Sequence, residues 1–197
     1  MNEYEPSLEP IMEQSHLNKA KSDKFLMVLD LPDALKSINT ANDRASNHVN
    51  SDSIIYSVYS TQIPEVHVSD KETKFSGQTF HFTSHSRPEY GNIKVDFTVD
   101  SQFNNYWVIY KWINLLNNNK EGFFDAESLS TVDNPYESYS TTITVFGLDE
   151  YNKKRIQFDF IGVVPVKLGS IQYNYRSDKD IESSFEFSFS QMIAKLI

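Results

Sequence analysis

The sequence predicts a mainly β fold of seven or eight mostly antiparallel strands with one flanking α-helix over about Phe103–Asn117. Three observations carry this. Apolar side chains recur with period two in several short runs. Aromatic residues make up 14% of the chain and favour pleated, half-buried surfaces. Only one stretch changes to the 3.6-residue period of a helix.

Residues 1–23 are polar, carry Pro6 and Pro10, and hold too few apolar side chains for a core element. They read as an N-terminal arm, leaving 24–197 as a single domain. Lys24–Leu31 is nearly continuously apolar and predicts a strand buried on both faces. Residues 32–53 are rich in Asn, Asp and Ser and exceed the usual connection length, so they read as a functional or partner-ordered loop insertion. Strands follow at Ile54–Gln62 and Gln78–Thr83, and between them Pro64, Asp70, Lys71 and Gly77 mark turns or a protruding hairpin. Asn92–Asp100 alternates cleanly, with Ile93, Val95, Phe97 and Val99 on one face and Lys94, Asp96, Thr98 and Asp100 on the other.

In Phe103–Leu116 the polar residues Asn104, Lys111 and Asn114 fall in one narrow helical stripe and apolar positions cover most of the rest. Asp100 or Ser101 can cap this helix, and Asn117–Asn119 with Gly122 end it. Trp107, four residues before Lys111, falls inside the polar stripe. It predicts either a contact with another chain or cover by a loop of its own. Residues 117–139 form a second, turn-rich insertion before a strand at Ser140–Phe146. The closing block, Arg155–Ser190, holds three alternating runs: Ile156, Phe158 and Phe160; Ile171, Tyr173 and Tyr175; Phe185, Phe187 and Phe189. Gly162 and Pro165 are expected to break the first run, Gly169 to open the second, and Ser177–Asp180 to turn into the third, giving an antiparallel meander.

Charge and composition narrow the function. With 18 basic against 27 acidic residues the formal charge is −9, which argues against gripping nucleic acid through its phosphates but not against a surface that nucleic acid slides past. There is no cysteine, so disulfides, thiolate metal sites and a cysteine nucleophile are excluded. The first residues lack the basic and apolar regions of a secretory signal, and no apolar run approaches the ~18 residues of a membrane helix, so the reading is of a soluble protein.

The chemical motifs are weak. His81 and His85 have an i, i+4 spacing, but they span a strand end and a turn, and no Glu follows the first as a zincin requires. Asp96 and Asp100 share a strand face, yet nothing marks the apolar pocket that would raise one of them as an acid catalyst. The glycines form neither nucleotide-binding pattern, and no GxSxG elbow occurs. The expectation is a non-enzyme with no catalytic, metal or cofactor site.

The order of elements from Ile54 to Ser190 resembles the tail tube proteins of contractile-tailed bacteriophages, the family of the T4 phage tube subunit. The resemblance rests on Ile63-Pro64 followed by Phe75-Ser-Gly77-Gln-Thr-Phe80-His-Phe82, on Ile93–Val99 leading into Tyr106-Trp-Val-Ile-Tyr-Lys-Trp112-Ile-Asn114, and on Phe158-Asp-Phe-Ile-Gly162-Val-Val-Pro165 running on to Phe189. Residues 1–53 and 117–139 depart from the pattern. They leave open a specialised relative, a baseplate tube initiator or a tube terminator.

The resemblance implies a rolled β-sandwich or barrel, assembled as homohexameric rings that stack head to tail into a tube, with sheath, baseplate and terminator proteins as partners. It implies a virion tail component, assembled in the host cytoplasm, through which DNA passes without tight binding and without a membrane role. On this reading Trp107, Phe75, Gly77 and Phe80 are inter-subunit candidates, and Asp96, Asp100, Asp159 and Glu186 are candidates for the lumen. A monomeric carbohydrate-binding module using Tyr56, Tyr59 and Tyr90 is the reading from another class.

Overall fold

A computed structural model describes residues 19–32, 35, 57–83, 89–116, 139–176 and 178–197. The arm up to residue 18, most of both loop insertions, Tyr56 and His85 lie outside the described residues. The strands in chain order are β1 (Phe25–Leu29), β2 (Val58–Thr61), β3 (Asp70–Phe75), β4 (Gln78–Thr83), β5 (Ile93–Thr98), β6 (Thr141–Leu148), β7 (Lys154–Leu168), β8 (Glu182–Ser188) and β9 (Gln191–Leu196), with helix α1 (Asn104–Leu116) between β5 and β6. All strand pairings are antiparallel.

The sheet is organised by β7. Its first half pairs β6 on one side and β9 on the other, and β1 adds to β6. Its second half pairs β8, followed by β5 and then β2. The two halves share one apolar core, in which Phe160 meets Phe187 edge-on at 5.8 Å between ring centroids. Gly162 sits at the change of partners with φ 68, a left-handed conformation that glycine adopts without cost, and the β6 register shifts there.

This arrangement corrects the expected break at Gly162 and Pro165: the strand bends and continues to Leu168. From Val164 onward β7 pairs β8 alone among the described residues. It is an edge strand there, and a missing N–H at Pro165 is tolerated on an edge.

Two further expectations are corrected. Ile171–Tyr175 alternates as a strand would but forms none, and Tyr173 and Tyr175 are exposed. Alternation describes an amphipathic segment, whereas a strand also needs an edge to pair with, and both sides of β8 are already taken by β5 and β7. β1 is not buried on both faces. Met27 and Leu29 enter the core while the alternate residues are half-buried, as befits a strand paired only to β6. β9 was not expected, whereas the protruding hairpin expected around Gly77 is present as β3 paired with β4. β3 is charged and owes its existence to pairing with β4.

Helix α1 begins where Asp100 can serve its first turn. The Asp100 Oδ1 accepts from the Asn104 and Gln102 backbone N–H groups at 2.8 and 3.0 Å, and Oδ2 accepts from that of Asn105 at 3.3 Å. This satisfies otherwise orphaned donors and sets a negative charge at the positive end of the helix. Val108, Ile109 and Trp112 face the core together with Asn105. The Asn105 amide donates to the Thr98 carbonyl at 2.8 Å and to Ser57 Oγ at 3.1 Å, so this buried polar side chain ties the helix to the end of β5.

Candidate assembly surfaces

Three surfaces on this frame stand apart from the core, and each is set by strand or helix periodicity. The first is the outward face of the β2–β5–β8–β7 half. Ile93, Val95, Phe97, Phe185 and Phe187 point into the core, which turns Lys94, Asp96, Glu182 and Glu186 the other way. Lys94 Nζ meets Asp96 Oδ1 at 2.6 Å, and Lys167 Nζ donates to Glu186 Oε1 at 3.0 Å. The Tyr59 hydroxyl donates to Glu182 Oε2 at 3.2 Å. The hydrogen bond and charge of Asp96 raise the Lys94 pKa. Both lysines of this face are therefore matched by carboxylates, with Glu182 in excess.

The second is the β3–β4 hairpin. Ser76 and Gly77, at φ 51 and 80, make a two-residue turn with both central residues left-handed, the geometry that matches the twist of paired strands. The register puts Phe75, Phe80 and Phe82 on one face, and every residue of both strands is exposed. The opposite face carries Asp70, Glu72 and His81, each offering one ligand atom within 4.8 Å of the others, with His81 Nδ1 at 3.1 Å from Asp70 Oδ2. All three are exposed.

The third is the outer side of α1. Trp107 is 41% exposed, as its place in the polar stripe predicts, with Lys111 Nζ at 5.0 Å from its ring centroid, and Tyr110 beside it is 47% exposed. Tyr110 was missed because a tyrosine reads as apolar in a periodicity argument although its hydroxyl tolerates water.

The four acidic lumen candidates do not share one surface. Asp96 and Glu186 lie together on the first face. Asp100 lies beyond β5 and is engaged by the helix N-terminus. Asp159 precedes the change of partners in β7, so it belongs to the other half of the sheet, where it is buried. Its Oδ1 accepts from Gln157 at 2.7 Å and Thr144 at 2.9 Å, and its Oδ2 from Lys195 at 3.1 Å.

Burial alone would raise the Asp159 pKa, but the hydrogen bonds from Gln157, Thr144 and Lys195 outweigh it and the net shift is downward. A depressed folded-state value stabilises the protein above the ordinary aspartate pKa, and that stability is lost as pH falls through the folded value. Asp159→Asn is thus expected to cost roughly 1–3 kcal/mol at pH 7. The difference from the parent protein should shrink as pH falls below about 4. Urea unfolding at pH 7 and at low pH checks this, and an unchanged difference between the two would contradict it.

Among the described residues an antiparallel sheet folds over one core and is flanked by helix α1 and the exposed β3–β4 hairpin, and solved structures share this fold. The chain is similar to a component of an extracellular contractile injection system sheath–tube complex, at 10% identity and TM-score 0.57, with 91% of this chain and 93% of that one covered. It is likewise similar to the tube-terminating cap of the anti-feeding prophage, at 13% identity, TM-score 0.58 and coverage of 91% and 92%. A sheath/tube terminator of an extracellular contractile injection system matches at 11% identity, TM-score 0.57 and coverage of 90% and 96%. At such identities the likeness is one of fold. No curated protein sequence matches the chain. Residues 20–195 match the family model described as phage tail tube protein, and the chain belongs to that family.

Proposed function

We propose that this chain is the repeating subunit of a contractile tail tube, closing into hexameric rings that stack into a conduit for DNA ejection. The observation that carries the reading is the outward face of the β2–β5–β8–β7 half, polar except for the exposed Val166 of β7 and with each lysine matched by a carboxylate. Such a wall offers passing phosphates no unpaired cation, so no counterion-release gain holds the duplex back. Among the described residues the free edges of this half are β2 and the second part of β7. Joining them around a ring removes edge strands that would otherwise be open to aggregation.

The hairpin and the Trp107 side of α1 are the contacts to neighbouring copies and to the sheath. The exposed phenylalanines of the hairpin contribute nothing to their own core. Phe75→Ser combined with Phe80→Ser is therefore expected to leave the unfolding free energy within about 0.5 kcal/mol of the parent protein, while negative-stain microscopy shows rings in place of long tubes. Unimpaired tubes would remove the hairpin from the stacking interface, and a strict monomer of the parent protein at high concentration would defeat the ring itself.

A tube-end protein is the second reading. It is favoured by the likeness to the tube-terminating cap, which is as close as that to the sheath–tube complex component. Isolated rings from the parent protein would select it.

A further inference from the structure

Where β1 begins and β6 turns into β7, the charge of the molecule reverses. Lys19, Lys21 and Lys24 lead into β1, and Lys153, Lys154 and Arg155 follow the turn. The two segments are joined by the Leu148 N–H donating to the Lys24 carbonyl at 3.0 Å and by Lys24 Nζ donating to Asn152 Oδ1 at 2.9 Å. A cavity of about 320 Å³ lies between them, lined by Leu148, Ile156 and Tyr151, by Lys19, Lys21, Lys24 and Arg155, and by the acidic Glu150. Asp149 also lines it, but its carboxylate accepts from Arg155 at 2.9 and 3.0 Å and from the Tyr151 and Lys153 backbone N–H groups, which commits it to the turn. The result is a pocket whose lining combines apolar side chains with four basic and two acidic ones, a local excess of positive charge on a chain whose net charge is −9.

We infer that this pocket is the docking site for the acidic segment at residues 1–18 of the same chain. That segment carries Glu3, Glu5, Glu9 and Glu13 and neither lysine nor arginine, with Leu8, Ile11 and Met12 interspersed. It joins the described chain at Lys19, itself a lining residue, so its effective concentration at the pocket is on the order of millimolar before any contact forms. The glutamates match the lysines and the aliphatic side chains match Leu148 and Ile156. Docking covers this local excess of positive charge, which would otherwise collect phosphates with a counterion-release gain. The inference stands apart from the tube reading, since it concerns a single copy.

Hydrogen exchange of the 197-residue chain tests it. Amides of residues 4–13 are expected to exchange at least about ten-fold more slowly than unprotected ones, and equally so after dilution of the protein. Lys19→Glu with Lys21→Glu and Lys24→Glu removes the protection, and adding Glu5→Lys, Glu9→Lys and Glu13→Lys restores it. Changing the four arm glutamates to Gln should tighten binding to a short DNA duplex by about ten-fold at low salt, relative to a charge-matched control with Glu65→Gln, Glu89→Gln, Asp178→Asn and Asp180→Asn. Unprotected arm amides, protection indifferent to the lysine reversal, protection lost on dilution, or equal duplex affinities for the two neutralised variants would each overturn the assignment.

Discussion

Trp112→Ala is expected to cost about 3–5 kcal/mol, the usual loss when a large buried aromatic is truncated. Domains of this kind have only about 5–15 kcal/mol in hand, so the variant is left marginal. Trp112 is fully buried among the core residues, and its indole N–H donates to the Tyr139 carbonyl at 2.8 Å, linking α1 to the chain just before β6. Truncation therefore opens a cavity and removes this hydrogen bond at once. Trp107→Ala five residues earlier is expected to cost less than about 1 kcal/mol, since it removes an exposed ring and one cation–π contact with Lys111. Urea unfolding of both variants checks the contrast, and equal midpoints would refute the assignment of the two tryptophans to core and surface. If Trp107 also lies at a contact between copies, its replacement weakens assembly while leaving that midpoint in place.

The two tryptophans also mark how far the sequence could be read. Helical periodicity separated Trp107 from the core because Lys111 and Asn114 define the wet stripe, and alternation placed the buried face of β5 residue by residue. Both are local signals, carried by near neighbours in the chain. Pairing is not local. Ile171, Tyr173 and Tyr175 have the pattern of a strand but no edge beside them, and nothing near them in sequence records that β8 is already flanked. Conversely β3, all exposed and rich in charge, becomes a strand only through the Ser76–Gly77 turn and its partner β4. The acidic candidates divide for the same reason. Alternation tells which side of a strand a carboxylate takes, but not that β7 changes sheets at Gly162, which separates Asp159 from Glu186. Asp100 shows a third case, in which a residue continues the strand's alternation yet acts as a helix cap.

Reversing the charge of the proposed channel wall should have the largest functional effect. Asp96→Lys with Glu186→Lys adds two cations and also releases Lys94 and Lys167 from their partners, leaving Glu182 as the carboxylate on that face. Both sites are on the surface and neither carboxylate is part of the core, so rings and tubes should still form. Asp159→Lys is unsuited to this test, because it would bury a cation against Lys195 in place of the hydrogen-bonded carboxylate. Repeated around each ring and along the stack, the new cations give the duplex a continuous series of phosphate contacts. Even six to ten such contacts change affinity by roughly 10³–10⁵ between 50 and 200 mM salt. Ejection from particles carrying the variant should accordingly stall at low salt and recover steeply as salt rises, whereas Asp96→Asn with Glu186→Gln should slow it less. Assembled tubes that release DNA at the parent rate at 50 mM salt would mean that this face does not line the channel, and the wall would then have to be sought on the β1–β6–β7–β9 half.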